Sequence, residues 1–135
     1  MDKKDCIFCK IIRGEIPSTK IYEDDNNLAF LDIYPISYGH TLIIPKKHYQ
    51  NLEDIDIEEL NLLIQVVKKV GSILKEKLNI SGYNLIENND KIAGQVVPHI
   101  HFHIIPRKNN DNLKHWKHSS YKDGEIDEII QKINS

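Results

Sequence analysis

The 135-residue chain has neither a large excess of one charge nor a long apolar run. Its formal net charge is −2, so no electrostatic case exists for binding duplex nucleic acid. No stretch approaches the roughly 20 apolar residues of a membrane-spanning helix, and no apolar leader follows the N-terminal Met-Asp-Lys-Lys-Asp. We therefore expect a cytoplasmic protein without a membrane partner, forming one domain over residues 1–135.

Cysteine is also scarce. The chain has only Cys6 and Cys9, and in a reducing compartment this pair should not form a structural disulfide. The Cys-x-x-Cys spacing is half of a zinc site, although two buried, small apolar side chains on a helix face would have the same spacing. A zinc site needs two further ligands, and the residues alone leave several histidines open: His40, His48, His99, His115 and His118.

Histidine, by contrast, is concentrated in one short stretch. Residues 99–103 read His-Ile-His-Phe-His. In an extended strand, His99, His101 and His103 would share one face, and the apolar residues between them would share the other. The apolar face predicts packing on a core, and the histidine face predicts chemistry. Three solvent-facing histidines without a role are the plainer alternative.

Two kinds of chemistry suit such a face. The first is metal binding. Two of the histidines could hold zinc, but three successive same-face residues span about 13 Å, too far to converge on one ion. The second is covalent catalysis, in which a neutral imidazole attacks phosphorus and water splits the intermediate. The polar loop over residues 88–95 could bring backbone N–H groups to an anion, although an ordinary connection would have the same composition.

The hydrophobic pattern predicts an α+β fold in the order α-β-β-β-α-β-β-α. A short helix capped by Asp5 is expected over about residues 6–13, and one long amphipathic helix over about residues 57–78. Short connections predict a largely antiparallel five-stranded sheet with helices on one face. The other expected elements are strands over about 20–23, 28–33, 40–45, 83–87 and 97–106 and a C-terminal helix over 125–133.

The histidine motif and its surroundings resemble the histidine triad (HIT) superfamily of nucleotide hydrolases and transferases. His99-Ile-His101-Phe-His103-Ile-Ile has the family's alternation of histidine and apolar residues, and the likeness covers about residues 5–107. Further segments are similar to the Hint branch and to bacterial Hit-like proteins: Cys6-Ile-Phe-Cys-Lys-Ile-Ile12, Ala29-Phe-Leu-Asp32-Ile, Gly39-His40-Thr-Leu-Ile-Ile-Pro45-Lys-Lys-His48 and Gly94-Gln95.

This resemblance implies an enzyme that cleaves purine nucleoside phosphoramidates or aminoacyl-adenylate-like substrates. His101 would attack the α-phosphorus and form a nucleotidyl-histidine. His103 would contact phosphate and assist the leaving group, with His99 and His40 in support. No metal would be required for this chemistry. A dinucleoside polyphosphate hydrolase, and a nucleotide-binding regulatory adaptor with little catalysis, remain alternatives.

The resemblance also implies the ligand-binding residues. Asp32 would accept the ribose hydroxyls, and the nucleoside pocket would further use Ile7, Phe8, Ile11 and Ile33. Asn88, Gly94 and Gln95 would lie by the phosphate. The purine nucleotide would be bound once in each protomer of a homodimer, whose two sheets join into one.

In bacterial relatives with the same cysteine pair, zinc is held by residues that correspond to Cys6, Cys9, His48 and His99. Four protein ligands leave no open position, so this zinc would be structural. A zinc-dependent hydrolase, which needs an open position, is therefore the less favoured alternative.

Three positions depart from the family pattern. Val96 stands where Hint relatives often carry a serine whose hydroxyl can bond the leaving amine. We therefore expect amine leaving groups to react less well, unless backbone or water supplies that contact. Pro98 replaces an aromatic residue of some relatives, with no consequence that we can derive. Trp116 lies further from the triad than the C-terminal tryptophan that approaches the partner's site in relatives.

Overall fold

A computed structural model describes residues 3–135. The predicted α+β class is confirmed, and in the described part of the chain no helix is both long and apolar enough to cross a membrane. The elements are α1 (Ile7–Ile12), β1 (Lys20–Glu23), β2 (Asn27–Leu31), β3 (Thr41–Pro45), α2 (Ile57–Lys77), β4 (Gly82–Glu87), a short 3₁₀ turn (Lys91–Ala93), β5 (Phe102–Arg107) and α3 (Glu125–Asn134).

The five strands form one antiparallel sheet in the order β1-β2-β3-β5-β4. The pairing of β4 with β5 runs from Gly82 opposite Arg107 to Glu87 opposite Phe102. β5 also pairs with β3, where Leu42 lies opposite His103. The strand that carries His103 is therefore an interior strand, held on both sides by backbone hydrogen bonds.

The helices α1 and α2 cover opposite faces of this sheet. On one face, Ala29 and Ile43 belong to a cluster with α2 that includes Leu63, Val67, Val70 and Leu74. On the other face, the neighbouring strand residues pack against α1, in a cluster that contains Phe8, Cys9, Ile11, Leu28, Phe30, Leu42 and Ile44. The expectation of helices on one face is therefore wrong for α1. All five residues of β3 are buried, so both of its faces need a cover.

The short helix α1 begins differently from the prediction. The cap is Cys6 rather than Asp5, because the Cys6 sulfur accepts a hydrogen bond from the Cys9 backbone N–H at 3.4 Å. The chain then leaves the helix through Gly14, whose φ of +78° lies in the left-handed region that glycine adopts readily. This cap places both cysteine side chains at the start of α1, facing the sheet.

The strand after the polar loop begins at Phe102 and not at residue 97. The His99 N–H donates to the Val97 carbonyl at 2.8 Å, and the Ile100 N–H donates to the Tyr49 carbonyl at 2.8 Å. Residues 97–101 therefore form a bent approach to β5. The predicted alternation of faces is nevertheless present, because Ile100, Phe102 and Ile104 all lie in the α2-side cluster.

The C-terminal helix α3 contributes no buried residue. Its apolar residues, Ile126, Ile129, Ile130 and Ile133, are all exposed to solvent. Trp116, in the segment before it, is exposed as well. The buried clusters that position the site are therefore formed without α3.

Candidate active site and metal centre

The predicted site residues meet on the face of the sheet that α1 covers. The ring centroids of His101 and His103 lie 4.8 Å apart, and those of His40 and His103 lie 5.2 Å apart. The Phe8 ring of α1 stands edge-on to His101 at 5.1 Å. The structure thus brings a residue of the N-terminal helix, the end of the β2–β3 connection and the histidine segment into one cluster.

His101 is a buried, oriented imidazole that keeps 6% of its surface exposed. Its Nδ1 donates a hydrogen bond to the His99 carbonyl oxygen at 2.8 Å, because a carbonyl can only accept. Burial lowers the pKa of His101, against the opposing effects of that bond and of Asp32. At neutral pH the ring is therefore neutral, with its one proton on Nδ1 and a lone pair on Nε2.

His40 and His103 form a hydrogen-bonded pair, with His40 Nε2 2.9 Å from His103 Nδ1. Burial lowers the pKa of His40, and the charge of Asp32 opposes this effect. Burial, and then the neighbouring imidazoles of His101 and His40, lower the pKa of His103 to about 4. Both rings are therefore neutral at pH 7. The backbone N–H of Ile36 donates to Nδ1 of His40 at 3.0 Å.

Asp32 follows the last residue of β2 and is held by the connection that it opens. Its N–H donates to the His40 carbonyl at 3.0 Å, and its Oδ1 accepts from the Tyr34 N–H at 2.8 Å. The other oxygen, Oδ2, lies 3.7 Å from His40 Nε2. This carboxylate is partly exposed and keeps capacity to accept hydrogen bonds from a ligand.

The apolar residues predicted for a nucleoside pocket divide into two groups. Phe8 and Ile11 are buried in the α1-side cluster. Ile7 and Ile33 are exposed, Ile33 to 80%, and they are the apolar side chains that a flat ligand could cover. Core packing is thus the observed role of Phe8 and Ile11, and contact with a base stays a prediction for all four residues.

In the loop before the histidines, the Gln95 side chain has hydrogen bonds at both of its ends. Its Oε1 accepts from the Asp90 N–H at 2.8 Å, and its Nε2 donates to the Gln50 carbonyl at 2.6 Å. Gly94 has a φ of +97°, and a Cβ built there would lie 3.5 Å from Asn88 Nδ2. These side-chain bonds of Gln95 hold the loop in shape. Binding of phosphate by Asn88, Gly94 and Gln95 stays a prediction.

Cys6, Cys9, His48 and His99 form a separate cluster, in which one potential ligand atom of each residue lies within 4.8 Å of the others. The His99 Nδ1 lies 3.3 Å from the Cys6 sulfur and 3.6 Å from the Cys9 sulfur, and the His48 Nδ1 lies 3.3 Å from the Cys9 sulfur. Two sulfurs and two imidazole nitrogens are a common tetrahedral ligand set for Zn²⁺.

One further observation fits a metal at these residues. The His99 Nε2 donates to the Pro45 carbonyl at 2.8 Å, so its lone pair is on Nδ1, toward the sulfurs. Burial and the neighbouring Cys6 raise the pKa of Cys9 to about 11, so without a bound cation this sulfur is a neutral thiol at pH 7. The sequence left several histidines as candidates for the two remaining zinc ligands. Of these, His48 and His99 lie in this cluster, and His115 and His118 are exposed outside it.

Asp32, His40 and His103 form a second group of potential metal ligands, with atoms again within 4.8 Å of one another. Sequence reasoning named these residues but missed the backbone groups around both clusters. The Ile36 N–H lies in a connection that the sequence marks only by Pro35 and Gly39, and the Pro45 carbonyl lies at the end of β3. Neither has a side-chain signal of its own.

Comparison with known proteins places the chain among related sequences over most of its length. The HIT domain family matches residues 13–110. An uncharacterized HIT-like protein of Methanocaldococcus jannaschii is 49% identical over 95% of this chain and 98% of its own length. An adenosine 5'-monophosphoramidase of Candida albicans is 50% identical over 76% of this chain and 70% of its own length. An adenylylsulfatase of Arabidopsis thaliana is 42% identical over 97% of this chain and 68% of its own length.

Solved structures give the same picture. A HIT family protein from Bacillus subtilis superposes with a TM-score of 0.87 at 40% identity, covering 96% of this chain and 95% of that one. A zinc-bound histidine triad family protein from Mycobacterium smegmatis superposes with a TM-score of 0.79 at 38% identity, covering 88% and 86%. The chain therefore shares its overall fold with these solved structures.

Proposed function

The chain belongs to the HIT domain family, and from this premise we propose that it is a nucleotide hydrolase acting through a covalent nucleotidyl-histidine. The proposed substrates are purine nucleoside phosphoramidates and aminoacyl-adenylate-like compounds. One observation carries the proposal: the hydrogen bond from His101 Nδ1 to the His99 carbonyl leaves a lone pair on Nε2 of a neutral ring. That lone pair is the nucleophile the reaction needs.

In the first step, Nε2 of His101 forms a bond to the α-phosphorus, and the bond from phosphorus to the leaving nitrogen breaks. The electron pair goes to the leaving amine, which takes a proton from solvent. The His101 ring keeps its Nδ1 proton throughout, so the phosphorylated ring is cationic. The His99 carbonyl, which accepts that N–H, stabilises this charge.

In the second step, water attacks phosphorus and the bond to His101 Nε2 breaks. The oxygen of water stays on phosphorus, and one of its protons returns to solvent. Over both steps, one water molecule supplies the hydroxyl of the nucleotide product and the proton of the amine. His101 is restored with its lone pair on Nε2.

His103 is proposed to donate a hydrogen bond rather than a proton. Its pKa of about 4 means that the ring is neutral at pH 7, and a neutral imidazole that gave up its only proton would become an imidazolate. As a hydrogen-bond donor it stabilises the charge that builds on the phosphate or the leaving atom. His40 supports it through their 2.9 Å hydrogen bond.

Nucleotide binding is proposed at the edge of this cluster. The Oδ2 atom of Asp32 would accept the ribose hydroxyls, and the exposed side chains of Ile7 and Ile33 would cover the base. The printed names of the Candida albicans and Arabidopsis thaliana relatives, a monophosphoramidase of adenosine and an adenylylsulfatase, support a purine nucleotide as the ligand.

The cysteine cluster is proposed to hold a structural zinc through Cys6, Cys9, His48 and His99. When bound, the ion would neutralise two thiolates and fasten α1 to the sheet. Four protein ligands leave no position for substrate, so its contribution is to stability and not to the chemical step. The zinc-bound relative from Mycobacterium smegmatis supports this assignment. Buried thiols that serve as ligands also suit the reducing cytoplasm that we propose as the location.

We further propose a homodimer in which the sheets of two protomers join. β4 lies at the end of the strand order, so one of its edges has no partner strand within the sheet. A second copy of β4 could continue the ladder through main-chain hydrogen bonds. Analytical ultracentrifugation at micromolar concentrations tests this assembly, and a monomer throughout would contradict it.

A second candidate substrate class is the phosphoanhydrides, either adenylyl sulfate or a dinucleoside polyphosphate. The adenylylsulfatase among the relatives favours it, and so does Val96, which offers no hydroxyl to a leaving amine. Both classes share the covalent step. Steady-state rates on an adenosine phosphoramidate, on adenylyl sulfate and on a diadenosine polyphosphate rank the three directly.

The test of the covalent mechanism is mass spectrometry of the protein mixed with a slow adenylate substrate. We expect one added adenylyl group, located on His101. Tight binding of adenosine monophosphate without any modified histidine would instead identify a nucleotide-binding adaptor.

A further inference from the structure

The hydrogen bond between His40 and His103 has two possible proton arrangements. The 2.9 Å distance between His40 Nε2 and His103 Nδ1 requires one hydrogen between them. If His40 supplies it, the only proton of neutral His103 is on Nε2. If His103 supplies it from Nδ1, then Nε2 of His103 has a lone pair. The first arrangement offers a donor to a phosphate, and the second presents a lone pair that an anion repels.

A backbone group selects between the two arrangements. The N–H of Ile36 donates to Nδ1 of His40 at 3.0 Å, so Nδ1 must be unprotonated. The proton of neutral His40 is therefore on Nε2, pointing at His103. We propose that the Ile36 N–H is the positioning group that fixes these protons and so gives His103 an N–H at Nε2. The catalytic consequence rests on the role of His103 in the proposed function.

The same hydrogen bond decides where a metal ion binds. Zinc can be bound by side chains of the types found in Asp32, His40 and His103. His40 Nε2 lies 3.7 Å from Asp32 Oδ2 and 2.9 Å from His103 Nδ1. These separations lie on either side of the roughly 3.3 Å between ligands of a tetrahedral zinc. With the proton of His40 on Nε2, however, neither of the two facing nitrogens offers a free lone pair to an ion.

The cysteine cluster has the opposite arrangement. There a backbone carbonyl, that of Pro45, accepts from Nε2 of His99 and leaves the lone pair on Nδ1, between the two sulfurs. A backbone donor beside His40 and a backbone acceptor beside His99 thus direct zinc to one cluster. They also keep it from the other, where it would break the hydrogen bond between His40 and His103.

The connection that holds the Ile36 N–H is itself well fixed. The His40 N–H donates to the Ser37 carbonyl at 3.0 Å, and the Ser37 hydroxyl donates to the Pro106 carbonyl at 2.8 Å. The Ile36 side chain is 54% exposed. The proposed effect is therefore made by the main chain, and it should persist when the side chain is shortened.

The test replaces Ile36 by its α-hydroxy acid, which turns the peptide N–H into an ester oxygen and leaves the side chain in place. Ile36→Ala, which keeps the N–H, is the matched control, and Ile36→Pro is a second variant without it. All proteins carry His115→Gln and His118→Gln, so that these exposed histidines do not bind metal. Two-bond ¹⁵N NMR correlations of the rings report which nitrogen of His40 and His103 is protonated, and titration with Zn²⁺ gives the stoichiometry.

We expect His103 protonated on Nε2 and one zinc per chain in the unmodified and Ile36→Ala proteins. In the ester and proline variants, the proton of His40 should be on Nδ1, so that His40 Nε2 accepts the shared hydrogen from Nδ1 of His103. Zinc can then replace that hydrogen, because with His40 protonated on Nδ1 and His103 on Nε2 both facing nitrogens have a lone pair, and a second zinc should bind. Turnover should fall about a hundredfold to a thousandfold, the range for loss of one preorganised donor. Unchanged ring protonation in the ester variant, or one zinc per chain in it, overturns the proposal.

Ring protonation and zinc stoichiometry are measured without substrate, so they do not depend on the proposed reaction. If the protons move and a second zinc binds while turnover stays the same, Ile36 is supported as the positioning group. The role of His103 in the proposed function is then wrong.

Discussion

The carbonyl oxygen of His99 accepts a hydrogen bond from Nδ1 of His101 at 2.8 Å, while the imidazole of His99 belongs to the cysteine cluster. One residue therefore joins the proposed zinc centre to the proposed nucleophile, through its side chain on one side and its backbone on the other. Because the bond to His101 uses the main chain, a change of the His99 side chain leaves that acceptor in place.

His101→Ala removes the proposed nucleophile and should lower kcat by at least about a thousandfold, the scale of losing a covalent catalyst. Affinity for adenosine monophosphate should stay within a few-fold, because binding is proposed to depend mainly on other residues. Steady-state kinetics and calorimetric titration check the two parts. The control is His118→Ala, at an exposed histidine, which should retain full activity. Turnover that survives in H101A would exclude the covalent mechanism.

Removal of zinc should lower stability far more than chemistry. The ion would hold α1 to the sheet through Cys6 and Cys9, and loss of a closed site should reduce Tm by about 10 °C or more. At a temperature where the zinc-free protein stays folded, kcat should remain within about fivefold, since the ion has no open position. Metal analysis and thermal unfolding before and after chelation measure this. A zinc-free protein with unchanged melting would contradict the assignment.

Stability should decrease as pH falls from about 6.5 to about 4. The pKa of His103 is about 4 in the folded chain and near its ordinary value of 6.5 in the unfolded chain. Between these values the unfolded state binds more protons, so acid favours unfolding, and above pH 6.5 the effect is absent.

The measurement is urea unfolding at several pH values for wild type and for His103→Gln. The variant lacks the titrating group, so its free energy of unfolding should change less between pH 6.5 and 4.5. Equal pH dependence in the two proteins would show that His103 does not contribute to the acid loss.

Val96→Ser should favour amine leaving groups. Val96 is 88% exposed, so the change costs little packing energy, and it adds a hydroxyl that can donate a hydrogen bond to a leaving amine. We expect the kcat/KM ratio of an adenosine phosphoramidate to a diadenosine polyphosphate to rise by about three- to tenfold, the worth of one hydrogen bond. Val96→Ala is the control and should leave the ratio unchanged. A ratio that rises equally in both variants would assign the effect to side-chain size.

Much of the fold could be predicted because the sequence shows the periodic spacing of apolar residues that is typical of helices and strands. The apolar stripe of α2 and the turn residues between strands mark those elements. The side of the sheet that each helix covers could not be predicted in this way. Leu42, Ile43 and Ile44 are consecutive buried residues that face opposite helices, and their apolar character is equal on both faces. The start of β5 at Phe102 depends on a bond between Ile100 and Tyr49, which are far apart in sequence.

For the site, side-chain types were informative and backbone partners were not. Histidines at alternate positions, and a cysteine pair at zinc-finger spacing, have a recognisable chemical purpose. The groups that decide what each imidazole can do are the Ile36 N–H and the carbonyls of Pro45 and His99. Every residue except proline has both groups, so only the fold determines which of them meets a ring.

The alternation along residues 99–104 makes this segment intolerant of any change in length. Insertion or deletion of a single residue would turn the imidazoles that follow it toward α2 and send isoleucines to the opposite side. One such change would displace His99 of the cysteine cluster or the proposed nucleophile His101, together with part of the core. A point substitution here changes one side chain, whereas a change in the length of the segment should unfold the protein.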